Sequence, residues 1–249
     1  MFALLNTAIT RKHNVLFRAF TENVIVRMQS SSKPVLYGDD ISPPVRFVAW
    51  TASLLGIEVD FHKIDLFKGE NKSEFFKKIN PLLKVPTLAI GDVSIRDSHA
   101  ITLYFCRMVK DQQLYSTDDA LTATKVDELM FFNSSTLFPI DTKIYSEFIV
   151  GKWPADEDTL MKWYNALDYL ELQLEKQPWL AGDKMTLCDL ACGETLLSMQ
   201  LLYPLPSRYV QLNKFLEKLR SVPHFSEVNE QGLKRMGEIV KKLKLSLEK

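Results

Sequence analysis

At 249 residues, with 46% hydrophobic and 25% charged side chains, the chain has length for one large domain or two small ones with a real core. Lys+Arg 31 against Asp+Glu 31 leaves no net charge, which removes any electrostatic case for nucleic acid or an anionic membrane as partner. No apolar run approaches the roughly 18 residues of a membrane span, and Cys106, Cys188 and Cys192 form no CxxC and no Cys/His metal spacing.

Residues 1–32 differ in composition from the rest. Arg11, Lys12, Arg18 and Arg27 stand against the single acid Glu22, and the segment closes on Ser30-Ser31-Ser32. A mitochondrial-type transit peptide, a flexible extension and an upstream start ahead of Met28 are three readings compatible with that pattern.

From Lys33 to about residue 112 the elements alternate. A strand at 34–38 leads through Asp39-Asp40-Ile41-Ser42 into a helix over 44–55, where Val45, Val48, Ala49, Ala52 and Leu55 share a face. Pro43 and Pro44 suit a first helical turn, and Gly56 suits its C-terminal end. Ser42 is therefore read either as a plain N-cap or as one wall of an anion site, with the helix end and free backbone N–H groups behind it. A mixed strand at 58–65, a loop 67–71 and a short helix near 73–79 follow. Then Thr87–Ile90 and Val93–Arg96 read as a hairpin across Gly91-Asp92, and a helix opens near Ser98 with Ile101, Tyr104, Phe105 and Met108 on one face. Cys188 and Cys192, one helical turn apart in an apolar run, read as buried thiols of a reducing compartment.

Beyond the polar linker around 110–119 the pattern is helical throughout. Val126, Leu129, Met130, Asn133 and Leu137 keep helical spacing, as do Leu160, Trp163, Tyr164 and Leu167, then Leu212, Phe215, Leu216 and Leu219. Thr186 and Asp189 are spaced as N-cap and N3 of a capping box with a structural role. The fold class is α+β: an N-terminal extension (1–32), a small mixed-sheet domain (33–112) and an all-helical domain (119–249). His13, His62 and His224 are scattered and suggest no metal, and the lysine-rich end reads as the solvated face of a last helix.

Three polar features belong to the first domain. Besides Ser42 there is Lys84-Val85-Pro86-Thr87, where a cis bond (about 5–6% of X-Pro bonds) would present the Val85 backbone to a bound peptide. There is also Arg96-Asp97-Ser98-His99, a strand end running into a helix start, suited to a carboxylate on Ser98 and an ammonium on Asp97.

The order Ser-Pro-Pro-Val-Arg (42–46), Asn-Pro-x-x-x-Val-Pro-Thr-Leu (80–88), Gly-Asp (91–92), Asp-Ser-His-Ala-Ile (97–101) and Thr-Leu-x-Asp (186–189) resembles the cytosolic glutathione S-transferases. Within that family the insect delta/epsilon type matches best. The stretches 66–70, 137–141 and 203–205 narrow the resemblance to epsilon-class noppera-bo proteins of ecdysteroid-producing tissue.

The resemblance implies a thioredoxin-like first domain, a cytoplasmic homodimer and glutathione as co-substrate. It implies Ser42 as the hydroxyl that activates the thiol, and Pro44, Asn71, Lys84, Val85, Pro86, Asp97, Ser98 and His99 around glutathione. Relatives place histidines where this chain has Asn71 and Leu83, so Lys84 is the expected cation for the glycyl carboxylate. Phe67, Ser134, Leu137, Phe138 and Asp141 are expected at a hydrophobic substrate, with Asp141 accepting from a steroid hydroxyl or else standing as a solvated carboxylate. A non-catalytic glutathione or steroid carrier, and an interaction module that binds no glutathione, are the competing readings on the same fold.

Overall fold

The computed structural model describes residues 33–115 and 118–247, so the readings of the 1–32 segment lie outside the described residues. The first unit is a four-stranded sheet built from β1 (Val35–Gly38), β2 (Asp60–Lys63), β3 (Thr87–Ile90) and β4 (Val93–Arg96). Its order is β2-β1-β3-β4, with β1 parallel to β2 and antiparallel to β3. The parallel pair needs a crossover, which α1 (Pro43–Leu54) supplies. The β3–β4 hairpin turns at Gly91, φ +57°, a left-handed position that glycine adopts without penalty. Short α2 (Glu74–Ile79) is capped by the Ser73 hydroxyl accepting from the Phe76 N–H, and α3 (Ser98–Met108) closes the unit. Only the core of the expected 58–65 strand pairs in the sheet.

The remainder is helical: α4 (Ala120–Phe132), a π-turn (Asn133–Leu137), α5 (Phe138–Ile149), α6 (Glu157–Leu174), α7 (Leu187–Met199), α8 (Val210–Arg220) and α9 (Gln231–Leu247). Every residue of α7 is buried, so it serves as the axis of the helical unit. Its N-terminus is held by Asp189, whose two carboxylate oxygens accept from the Thr186 and Leu180 N–H groups, each at 2.8 Å. The three cysteines are free and buried, and burial pushes the Cys106 thiol up to about 12, far from a reactive range.

Helix α1 joins the two units. Val48 and Ala52 pack with Leu36, Leu88, Ile101 and Phe105 against the sheet. Phe47 and Trp50 belong to the core of the helical unit, and the Trp50 indole N–H donates to the Pro223 carbonyl at 2.8 Å. The strand end approaches α1 closely enough that a Cβ on Gly38 would meet Val45 Cγ1 at 2.5 Å. The same helix that carries Ser42 at its start is thus wedged between two cores.

Candidate functional site

A cleft of about 910 Å³ opens between the two units, directly over the N-terminus of α1. Eleven of the expected site residues line it: Ser42, Pro44, Asn71, Lys84, Val85, Pro86, Asp97, Ser98, His99, Ser134 and Phe138. Phe67, Leu137 and Asp141 do not.

Ser42 occupies the N-cap position with extended backbone, φ −82° and ψ 120°, yet its hydroxyl makes no capping bond. The reason is in the next two residues. Pro43 and Pro44 have no N–H to offer, and the Val45 and Arg46 N–H groups both go to the Ser42 carbonyl, at 3.0 and 3.1 Å. The expectation of free backbone N–H groups at this helix end is therefore corrected. What this helix start presents to the cleft is the Ser42 hydroxyl, with the positive end of α1 behind it.

The Val85–Pro86 bond is cis and leads into β3 along the floor of the cleft. Asn80 supports this turn from beneath, its amide donating to the Lys84 carbonyl at 2.8 Å and to Thr87 Oγ1 at 2.9 Å. Asn71 Nδ2 donates to the Leu83 carbonyl at 2.8 Å, which braces Leu83 in a left-handed conformation, φ +58°. Asn71 thus shapes the loop that presents Lys84, in addition to facing the cleft.

Across the cleft, Asp97 holds φ +86°, and its Oδ1 accepts from the His99 and Ala100 N–H groups at 2.9 and 3.1 Å. It caps α3 and leaves its carboxylate largely open to solvent. Ser98 is buried beneath it, with its hydroxyl 3.3 Å from His99 Nδ1. Burial draws the His99 pKa down, against the pull of Asp97 and of Asn133 and Met130 beside the ring, so the ring is biased to the neutral form.

The upper wall departs from a plain helical reading. In the π-turn the Phe138 N–H reaches back five residues to the Asn133 carbonyl, which rotates all that follows relative to α4. Phe138, Thr142 and Ser146 then line the cleft together with Pro139 and Lys143, while Leu137 and Asp141 turn into the core. Asp141 is only 3% exposed, so neither the cleft position nor the solvated alternative describes it. Burial raises its carboxyl to about 8, with Arg46 pulling the other way, and its Oδ1 has no hydrogen-bond partner among the described residues. Phe67 points outward from the loop after β2, where its neighbour Leu66 takes the cleft side.

Sequence reading missed Asn133, Ala191 and Thr195 as cleft residues. Asn133 donates to the Ala191 carbonyl at 3.1 Å and to Thr195 Oγ1 at 3.0 Å, tying the π-turn to α7. An asparagine at a buried helical position was the available signal.

Comparison with known proteins agrees with this architecture. Residues 36–112 match the family model for the glutathione S-transferase N-terminal domain, and residues 134–223 match that for its C-terminal domain. The chain is 31% identical to an epsilon-class glutathione S-transferase from the housefly Musca domestica, over 85% of this chain and 98% of that one, with TM-score 0.80. A Nilaparvata lugens delta-class glutathione transferase is 31% identical over 84% and 99%, with TM-score 0.79. A glutathione transferase homologue from Drosophila mojavensis, with bound glutathione, is likewise 31% identical over 84% and 97%, with TM-score 0.79. With both halves of its fold matched in order, this chain belongs to the glutathione S-transferase family.

Proposed function

We propose that the chain is a serine-type glutathione transferase, in which the Ser42 hydroxyl donates to the sulfur of glutathione and the resulting thiolate attacks a hydrophobic electrophile. The observation that carries this is a hydroxyl at the start of α1 that makes no capping bond, on the same cleft as Val85, Ser98 and Lys84. A free thiol has a pKa near 8.5, so little of it is ionised at neutral pH. A donor at the sulfur, with a helix N-terminus behind it, favours the anion; a drop of about two units corresponds to roughly 2.7 kcal/mol. The Val85 backbone would pair with the cysteinyl residue, Asp97 and Ser98 with the γ-glutamyl end, and Lys84 with the glycyl carboxylate. No metal or further cofactor enters the scheme. Proximity in the cleft supplies much of the remaining acceleration.

The electrophile would lie under Ser134, Phe138 and Pro139, an apolar ceiling with hydroxyls from Thr142 and Ser146 along one edge. A role in sterol or ecdysteroid metabolism rests on the resemblance of the 66–70, 137–141 and 203–205 stretches to noppera-bo proteins. For a steroid hydroxyl to meet Asp141, the Phe138 side of α5 would have to open. A cytoplasmic homodimer fits the family, and Met108, Leu121 and Phe131 are apolar side chains left exposed on α3 and α4.

The test is conjugation of a chlorodinitrobenzene-type electrophile by wild type and Ser42→Ala. Ser42→Ala should raise the pH midpoint of kcat/KM by about two units and lower the rate about 100-fold at pH values well below the wild-type midpoint, the equivalent of those 2.7 kcal/mol. Equal rates would remove Ser42 from the chemistry. Retention on immobilised glutathione without turnover by the wild type would make the protein a carrier.

A further inference from the structure

Arg46 lies four residues beyond Ser42 on α1 and is 1% exposed. Its guanidinium reaches two ways. Toward α7, Nε donates to Glu194 Oε2 at 2.8 Å and Nη2 to Ser198 Oγ at 2.5 Å. Toward the start of its own helix, Nη1 donates to the Asp40 and Ile41 carbonyls at 3.0 and 2.9 Å. Those are the two carbonyls immediately ahead of Ser42.

The same loop is gripped from its other side. Arg235 on α9 pairs with the carboxylates of Asp39 and Asp40, and Gly232 lies flat against the Asp40 carbonyl, where a Cβ would collide. Asp39 in turn accepts from the Leu66 N–H at 3.1 Å, and its carbonyl accepts the Ser42 N–H at 3.0 Å. An ion pair whose role was confined to holding two helices together would need only Glu194. Here two of the four guanidinium bonds go to loop backbone.

We propose that Arg46 is a positioning residue: by clamping the Asp40 and Ile41 carbonyls to α7, its guanidinium fixes the backbone that aims the Ser42 hydroxyl into the cleft. It does so from outside the cleft lining and touches no substrate. The role needs the planar five-donor fork of arginine, because an ammonium carries three donors on one atom and cannot span Glu194, Ser198 and two carbonyls together. The catalytic part of this inference rests on the serine mechanism above, and the structural part does not.

The experiment therefore reads both. In Arg46→Lys, hydrogen exchange at the Ser42 amide should quicken at least tenfold while mid-α7 amides keep their protection. The pH midpoint of kcat/KM should rise by about one unit, with the KM for glutathione within about twofold of wild type. Glu194→Gln keeps an acceptor and the shape, and should give shifts in the same direction but smaller, about threefold in Ser42 exchange and about half a unit in the pH midpoint, even where Arg46→Lys fails to fold. A folded variant with unchanged Ser42 exchange and unchanged pH midpoint overturns the proposal. A wild type that never forms the thiolate removes the serine mechanism alone, and the exchange rates still decide the clamp.

Discussion

Asp141 offers a test of the buried electrostatics that needs no substrate. One guanidinium, Arg46, lies among two buried carboxyls, Glu194 and Asp141. Glu194 is bonded to it at 2.8 Å, while Asp141 has no hydrogen bond to it and is raised to about 8 by burial. Burial pushes both carboxyls up, and with the guanidinium bonded to Glu194 the bias toward the protonated form at neutral pH falls on Asp141. In the unfolded chain that carboxyl titrates near 3.9. Its folded pKa lies above its unfolded one, so the folded state binds the extra proton, and the stability this contributes is full below about pH 4. It is lost as pH rises from there through about 8, at up to roughly 1.4 kcal/mol per pH unit. Asp141→Asn replaces the protonated acid with a neutral group of the same shape and has no such slope. Urea unfolding of both proteins should show the variant gaining on wild type by about 2.7 kcal/mol between pH 5 and pH 7. Two stability curves that stay parallel over that interval would mean that Asp141 is ionised in the fold and that Arg46 holds both acids as anions.

Two further predictions concern binding. Lys84→Gln should raise the KM for glutathione about three- to fivefold at low ionic strength and leave kcat alone, because an exposed cation at a carboxylate contributes only about 1 kcal/mol. The effect should shrink as salt is added, and a salt-independent KM change would point to a loop defect instead. On the proposed reading that α5 opens at Phe138 to admit a steroid hydroxyl, Asp141→Ala should weaken binding of a fluorescent steroid severalfold with glutathione affinity unchanged. Equal steroid affinity would leave Asp141 as a core residue alone.

Much of the lower half of the cleft was legible from the sequence, because it is built from local chemistry. Ser42, Val85-Pro86 and Asp97-Ser98 each sit at a strand end or helix start, where two or three adjacent residues determine what the backbone offers. The mixed sheet was legible for the same reason, from a crossover helix and a Gly-turned hairpin. The upper wall was not legible. A strict 3.6-residue period puts Ser134, Leu137, Phe138 and Asp141 on one face, and one widened turn at 133–137 separates them. What holds that turn is Asn133 reaching Ala191 and Thr195, partners roughly sixty residues away in sequence. Arg46 escaped notice in the same way: an arginine in a first helical turn reads as surface until Glu194 and Ser198 are seen around it.

The paired prolines account for why a hydroxyl would matter at this position under the proposed serine mechanism. At an ordinary helix start an N-cap serine is consumed by the N–H groups of the first turn, and an anion would be held by whichever of those remain free. Pro43 and Pro44 delete two of them, and Val45 and Arg46 donate to the Ser42 carbonyl instead. The hydroxyl is left without a local partner, and the field of α1 is left without backbone donors to deliver it. The proposed arrangement, an anionic sulfur against Ser42 Oγ, would meet both vacancies. Replacing the prolines with residues that carry an N–H would give the serine something nearer to bond, and so would draw the hydroxyl back from the cleft.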